Sequence, residues 1–125
     1  RLVNRTREKA QALAESFAGP IDVVDWGGWA GALDGAALLV NTTSIGIAGH
    51  PPLEIDLAPL PVSAIVDDIV YRPLNTDLLA AAEARGNPTV DGLGMLLHQA
   101  RPGFEAWFGV RPEVDDELRA FVLRD

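Results

Sequence analysis

Apolar residues fall along this chain in short blocks whose spacing alternates between that of a strand and that of a helix. Leu2-Val3 ends a strand that enters the polar turn Asn4-Arg5-Thr6. From Arg7 to Phe17, Ala10, Leu13, Ala14 and Phe17 share one helical face. Thr6 is placed as its N-cap, and Glu8 favours the positive end of the helix dipole. Ile21 to Val24 reads as a second strand, and Trp26 to Gly35, with four glycines, has room only for a short helix around Trp29 to Leu33. Ala36 to Val40 is an unbroken apolar run, the mark of a strand buried on both faces.

That run ends at once in Asn41-Thr42-Thr43-Ser44, either a simple turn or the lip of a binding site beyond a strand's carboxyl end. Ile45 to Ser63 holds four of the nine prolines, and Leu53, Ile55 and Leu57 alternate with Glu54 and Asp56. This predicts an ordered loop packed on the surface, or a short edge strand. The next buried strand begins at Ala64-Ile65-Val66 and runs through Asp67-Asp68 towards Val70-Tyr71. A helix capped by Asn75 or Thr76 follows to Arg85 and stops at Gly86, with Leu78 and Leu79 inward. After a small strand at Thr89-Val90, residues from Gly92 to Gly109 carry Leu93, Leu96, Leu97, Ala100, Phe104 and Trp107 on a helical stripe. Pro102-Gly103 should kink or split that helix, because proline lacks the backbone donor. A last amphipathic helix spans Val114 to Leu123. Strands and helices alternating in this way predict an α/β fold with a doubly wound parallel sheet and helices on both faces.

Composition narrows the function classes. A length of 125 residues with 48% hydrophobic content suits one globular domain. A net charge of −8 excludes a broad nucleic-acid surface. There is no cysteine, so thiolate metal sites and disulfides are ruled out, and His50 and His98 stand far apart with no ligand spacing around them; no metal is expected. No apolar run reaches the roughly 18–20 residues of a membrane span, and no signal peptide is visible, so the cytoplasm is the default location. The chain opens on Arg-Leu-Val, as though cut in mid-strand, and is expected to be a piece of a longer protein. A sheet lacking its first strand exposes an edge and apolar surface, so association, for example as a homodimer, or cover by further residues is expected.

The chemistry concentrates in a few places. Arg5, Thr6 and Lys9, which is the sole lysine, offer a guanidinium, a hydroxyl and an ammonium at a strand-to-helix junction. That is a set suited to a phosphate monoester, or else a solvated basic helix face. In dinucleotide folds an acid after the second strand selects NAD, whereas an Arg accommodates the 2′-phosphate of NADP; here the position reads Asn4-Arg5. Gly28 and Gly31 do not form the dinucleotide fingerprint, and Ser44 has no glycine elbow. Asp67-Asp68 is a general-base pair or a supporting or ribose-binding element. Asp91-Gly92-Leu93-Gly94-Met95 either lets backbone approach a ring or phosphate closely or makes a tight turn.

Taken together, Asn4-Arg5-Thr6 with Lys9, Asn41-Thr42-Thr43-Ser44 with Gly46, Tyr71-x-Pro73 followed by Thr76-x-Leu78-Leu79, and Asp91-Gly92-Leu93-Gly94-Met95-Leu96 with Gln99 resemble shikimate dehydrogenase in order and spacing. Phe104, Trp107 and Gly109 extend the resemblance. It implies an enzyme of two domains, the first with most of the shikimate pocket and a catalytic Lys-Asp pair, the second Rossmann-like and binding NADP. Residues 1–125 resemble the second domain, lacking its first strand and glycine-rich loop, and no catalytic residue falls within the chain, which alone is expected to be inactive. Asn4, Arg5, Thr6 and Lys9 are implied at the adenosine 2′-phosphate, Thr43 and Ser44 along the cofactor cleft, and Ile69, Gly92 and Met95 by the nicotinamide. Tyr71 and Gln99 are implied at the substrate, shikimate or 3-dehydroshikimate. Ile69 stands where many members have Met or Val, and Arg101-Pro102-Gly103 departs from the family's helix-friendly residues. Alternatives are a quinate/shikimate dehydrogenase using NAD, which Arg5 disfavours, and a non-catalytic nucleotide-binding fragment; glutamyl-tRNA reductase shares the Asn-Arg-Thr segment but not the segment from Asp91 to Gln99.

Overall fold

The computed structural model describes residues 1–124. Five short strands alternate with five helices: β1 (Leu2–Val3), α1 (Arg7–Glu15), β2 (Val23–Val24), α2 (Trp29–Leu33), β3 (Leu38–Asn41), β4 (Ile65–Asp68), α3 (Asp77–Arg85), β5 (Thr89–Asp91), α4 (Gly92–Phe108) and α5 (Asp116–Val122). Every pairing is parallel, β1 with β2 and β3 with β4 with β5. The strands form two sheets rather than one, ordered β1-β2 and β3-β4-β5. Between them runs a cleft of about 480 Å³ lined by Leu2 and Val3 on one side and by residues 38–43 on the other.

The core sits on the α3 side of the larger sheet. Leu33, Leu57, Leu60, Ala64, Val66, Leu78, Leu79 and Ala82 are buried together, with Leu39, Leu53 and Ile55 packed against them. Full burial of a leucine or valine stabilises by roughly 1.5–3 kcal/mol, so the proline-rich segment 45–63 is held by its own leucines. It contains no strand and is the packed loop of the two forms its pattern allowed. Asn87 pins its end, donating from Nδ2 to the carbonyls of Pro61, Val62 and Ala64 at 2.9–3.2 Å. The caps of α3 follow the sequence: Thr76 Oγ1 accepts from the Leu79 amide at 3.3 Å, and Gly86 closes the helix at φ 88°.

Three expectations fail. β3 is not buried on both faces: Leu38 and Val40 are exposed, as are Ile65 and Val90 on the neighbouring strands. Side chains alternate across a strand, and among the described residues no helix covers the face these four share. On α1 only Ala10 is buried, while Leu13 and Phe17 point to solvent, because the pair of two-residue strands beneath it is too narrow to cover the whole stripe. Thr6 does occupy the N-cap position of α1, as expected, without a capping bond from its hydroxyl. Finally, α4 runs unbroken through Pro102. The carbonyl that loses its donor belongs to His98, an exposed residue open to solvent. The far end of the α4 stripe packs on nothing: Trp107 is 80% exposed and Phe108 65%, although Phe104 and Phe108 stack on each other at 4.6 Å.

Candidate functional site

Parallel strands place the loops that follow them at one edge, where open α/β sheets bind ligands. The first such loop is basic. Arg7, in the opening turn of α1, pairs with Asp25 just beyond β2. Arg5 and Lys9 are exposed and make no ion pair among the described residues. The structure therefore separates three neighbouring cations into one that is tied and two that are available. Asn4 lies half-buried beneath them, its Oδ1 accepting from the Thr6 amide at 3.4 Å.

The second loop, after β3, is knitted by Asn41, which is only 3% exposed. Its Oδ1 accepts from the Thr43 amide at 3.0 Å and from Thr43 Oγ1 at 2.8 Å. Its Nδ2 donates to the Ile45 carbonyl at 3.2 Å and to Asp68 Oδ1 at 3.1 Å. All four bonding positions of the amide are used, so residues 41–45 form an ordered lip. Thr43 lines the cleft between the sheets, while Ser44 is exposed and outside it.

The third and fourth loops meet directly. A β-carbon at Gly92 would lie 2.1 Å from the Ile69 carbonyl oxygen and 2.3 Å from its carbon. Gly92 thus allows close approach, but to the protein's own backbone at Ile69-Val70. A β-carbon at Gly94 would meet nothing within 4 Å, so the glycine with an open side is the second one, which the sequence reading left out of the site. Met95 is exposed one turn into α4. Tyr71 is exposed beside a depression of about 300 Å³ formed with Leu74, Leu93 and the end of α5. Gln99 is exposed on α4 and does not line that depression. Its amide has no hydrogen bond within the described chain, so it is not spent on a neighbouring loop.

Strand alternation divides Asp67 from Asp68. Asp68 points to the α3 side, 1% exposed, and accepts from Asn41, from the Val70 amide and from Thr76 Oγ1. Asp67 lies on the opposite face with Ile65, and its carboxyl is held above the ordinary carboxylate range. Desolvation is the main cause, followed by the nearby charges of Asp68 and Asp91. They are not a catalytic pair. Asp91 caps α4 through the Leu93 amide and binds Arg119 of α5, a tie that the sequence pattern did not reveal. Among the described residues no cluster of His, Asp or Glu is placed to hold a metal ion, and no helix is long and apolar enough to cross a membrane.

These features, parallel strands with a cation-bearing loop and glycine-started helix at their carboxyl ends, define a Rossmann-like α/β domain. Residues 92–116 match the family described as "Shikimate 5'-dehydrogenase C-terminal domain". Among curated relatives, the NADP(+) shikimate dehydrogenase of Paramagnetospirillum magneticum is 65% identical over 123 residues, 98% of this chain and 45% of that protein. Among solved structures, the quinate dehydrogenase of Corynebacterium glutamicum in complex with NAD superposes with a TM-score of 0.84 at 33% identity, covering 96% of this chain and 44% of the other. The shikimate 5-dehydrogenase of Thermus thermophilus in complex with NADP(H) and shikimate gives 0.73 at 36%, covering 89% and 40%. Over nearly its whole length the chain is similar to the C-terminal part of shikimate dehydrogenases. It spans a little under half the length of the curated relatives it matches.

Proposed function

We propose that this chain is the NADP-binding part of an enzyme that reversibly reduces 3-dehydroshikimate to shikimate. The observation that carries the reading is the pair of uncommitted cations, Arg5 and Lys9, directly beyond β1. A planar guanidinium and an ammonium, free of carboxylates and joined by Asn4 and Thr6, fit a phosphate monoester such as the adenosine 2′-phosphate of NADP. NADP, when bound, would supply or take up the hydride exchanged with the ring carbon that carries the hydroxyl. Thr43 and Ser44 bring the ordered lip after β3 to the cofactor, Ser44 from outside the cleft between the sheets, and Ile69, Gly92 and Met95 flank the nicotinamide, Gly92 by letting the Ile69 backbone sit against the start of α4. Tyr71 and Gln99, both exposed, offer a phenol and an amide to the hydroxyls of the substrate.

The cleft between β1 and β3, with an unpaired strand edge on each side, suits one further parallel strand, the position of the family's first strand. Lys9, the only lysine, stands at the phosphate end of the site. The Lys-Asp pair of the family therefore belongs to a separate substrate domain, and the 125 residues alone turn over no substrate. The enzyme's partners are small molecules, and its setting is the cytoplasm; the exposed apolar face of β3-β4-β5 suits cover by that domain or by a second copy in a homodimer.

Arg5→Ala in the full-length dehydrogenase tests the reading. A charge-assisted bond to phosphate contributes roughly 1.5–3 kcal/mol, or about 10- to 150-fold in affinity. NADP should weaken by that factor while NAD is nearly unchanged; equal loss for both would remove the 2′-phosphate assignment. A second reading, a quinate/shikimate enzyme using NAD, draws on the likeness to the NAD-bound quinate dehydrogenase. A wild-type preference for NAD would favour it.

A further inference from the structure

Asp68 is buried to 1% exposure in the larger sheet, and none of the ion pairs among the described residues involves it. Its three partners are neutral donors from three different segments. Oδ1 accepts from Asn41 Nδ2 at 3.1 Å and from the Val70 amide at 3.1 Å, and Oδ2 accepts from Thr76 Oγ1 at 2.7 Å. The first bond leads into the lip after β3, because the same Asn41 amide holds Thr43 and Ile45. The second fixes the turn between Ile69 and Tyr71, the third the N-cap of α3. A backbone bond from the Ile69 amide to the Asn41 carbonyl, at 3.1 Å, runs alongside.

From this arrangement we infer that Asp68 is the positioning residue of the crevice, holding the cofactor lip at residues 41–45 in register with the nicotinamide and substrate lip at residues 69–71. The inference rests on the reading of those two lips given above. The atoms explain why a carboxylate suits this place. Asn41 Nδ2 and the Val70 amide can only donate, so Oδ1 must accept from both. A carboxylate also receives these bonds more strongly than a neutral carbonyl. Asparagine at position 68 keeps an oxygen for Asn41 and Val70 and an NH₂ group that the Thr76 hydroxyl can accept from, whereas alanine removes both oxygens and cuts all three ties.

The effect expected of Asp68→Ala in the full-length dehydrogenase is therefore on alignment. The value of kcat for shikimate oxidation, per folded molecule, should fall at least tenfold. Affinity for adenosine 2′,5′-bisphosphate, a probe of the Arg5 end alone, should stay within twofold. Thr76→Val cuts the tie between Asp68 and α3 along with the N-cap bond to the Leu79 amide, and leaves the bonds to Asn41 and Val70. It should lower the melting temperature and leave kcat within about twofold. Asn41→Ala cuts the tie between Asp68 and the 41–45 lip together with Asn41's own bonds to Thr43 and Ile45 and should reproduce the kcat loss, which keeps the test decisive if Asp68→Ala does not fold. The proposal is overturned if Asp68→Ala or Asn41→Ala retains wild-type kcat, or if Thr76→Val loses as much as they do. A wild-type enzyme inactive on shikimate with NADP would instead overturn the functional reading on which this rests.

Discussion

Replacing Gly92 by alanine adds a single carbon where the structure has no room for one. The new β-carbon lies 2.1 Å from the Ile69 carbonyl oxygen, 2.3 Å from the Ile69 carbonyl carbon and 2.8 Å from that of Val70. The shortest of these is roughly 1–1.5 Å inside ordinary contact. All three atoms are backbone, and the Ile69-Val70 segment is anchored by the Ile69 amide on Asn41 and the Val70 amide on Asp68. No side chain can rotate to relieve the clash. Overpacking of this kind costs typically 1–3 kcal/mol, and a backbone clash belongs at the upper end, about 3 kcal/mol. At about 2–4 °C per kcal/mol for a protein of 150–250 residues, Gly92→Ala in the full-length enzyme should melt roughly 6–12 °C lower. Gly94→Ala is the control: the added carbon meets nothing within 4 Å, and alanine gains about 0.5–1 kcal/mol over glycine within a helix. Thermal melts followed by circular dichroism read both variants. A Gly92→Ala protein melting within 2 °C of wild type, or an equal loss for both variants, would refute the contact argument.

Other substitutions examine the rest of the site. Gln99→Ala should raise KM for shikimate or lower kcat by about 2- to 12-fold, the scale of one or two neutral hydrogen bonds, with NADP affinity and melting temperature unchanged. A lower melting temperature with normal kinetics would make Gln99 structural. Asp67→Asn should stabilise at pH 7 by about 0.5 kcal/mol, the order of a screened carboxylate pair. The raised pKa of Asp67 means that the fold disfavours its ionised form, so stability is present at low pH and lost as pH rises through that pKa. The gain from asparagine should therefore vanish in acid, below the carboxylate range; a gain independent of pH would show that charge is not its source.

Local pattern was enough for most elements of this chain. Helix caps act within four residues, so Thr76, Gly86, Asp91 and Gly109 mark their helix ends in the sequence itself. The order of short apolar runs and helical stripes likewise indicates parallel α/β architecture, because each period is a property of its own segment. Which faces find a partner is a different matter, decided by contacts between residues far apart in the chain. Leu13 and Phe17 have the right spacing to be inward but lie over a sheet too narrow to receive them, and Leu38 and Val40 stand on an uncovered face. Asp67 and Asp68 are adjacent and chemically identical, yet strand alternation sends one to an open face and the other into a buried network. The partners Asn41 and Thr76 are 27 and 8 residues away from Asp68. Only the parallel register, which sets Asn41 beside Asp68 and Asp68 beside Asp91, joins the lips of the crevice. That register depends on packing of the whole sheet, and no single segment encodes it.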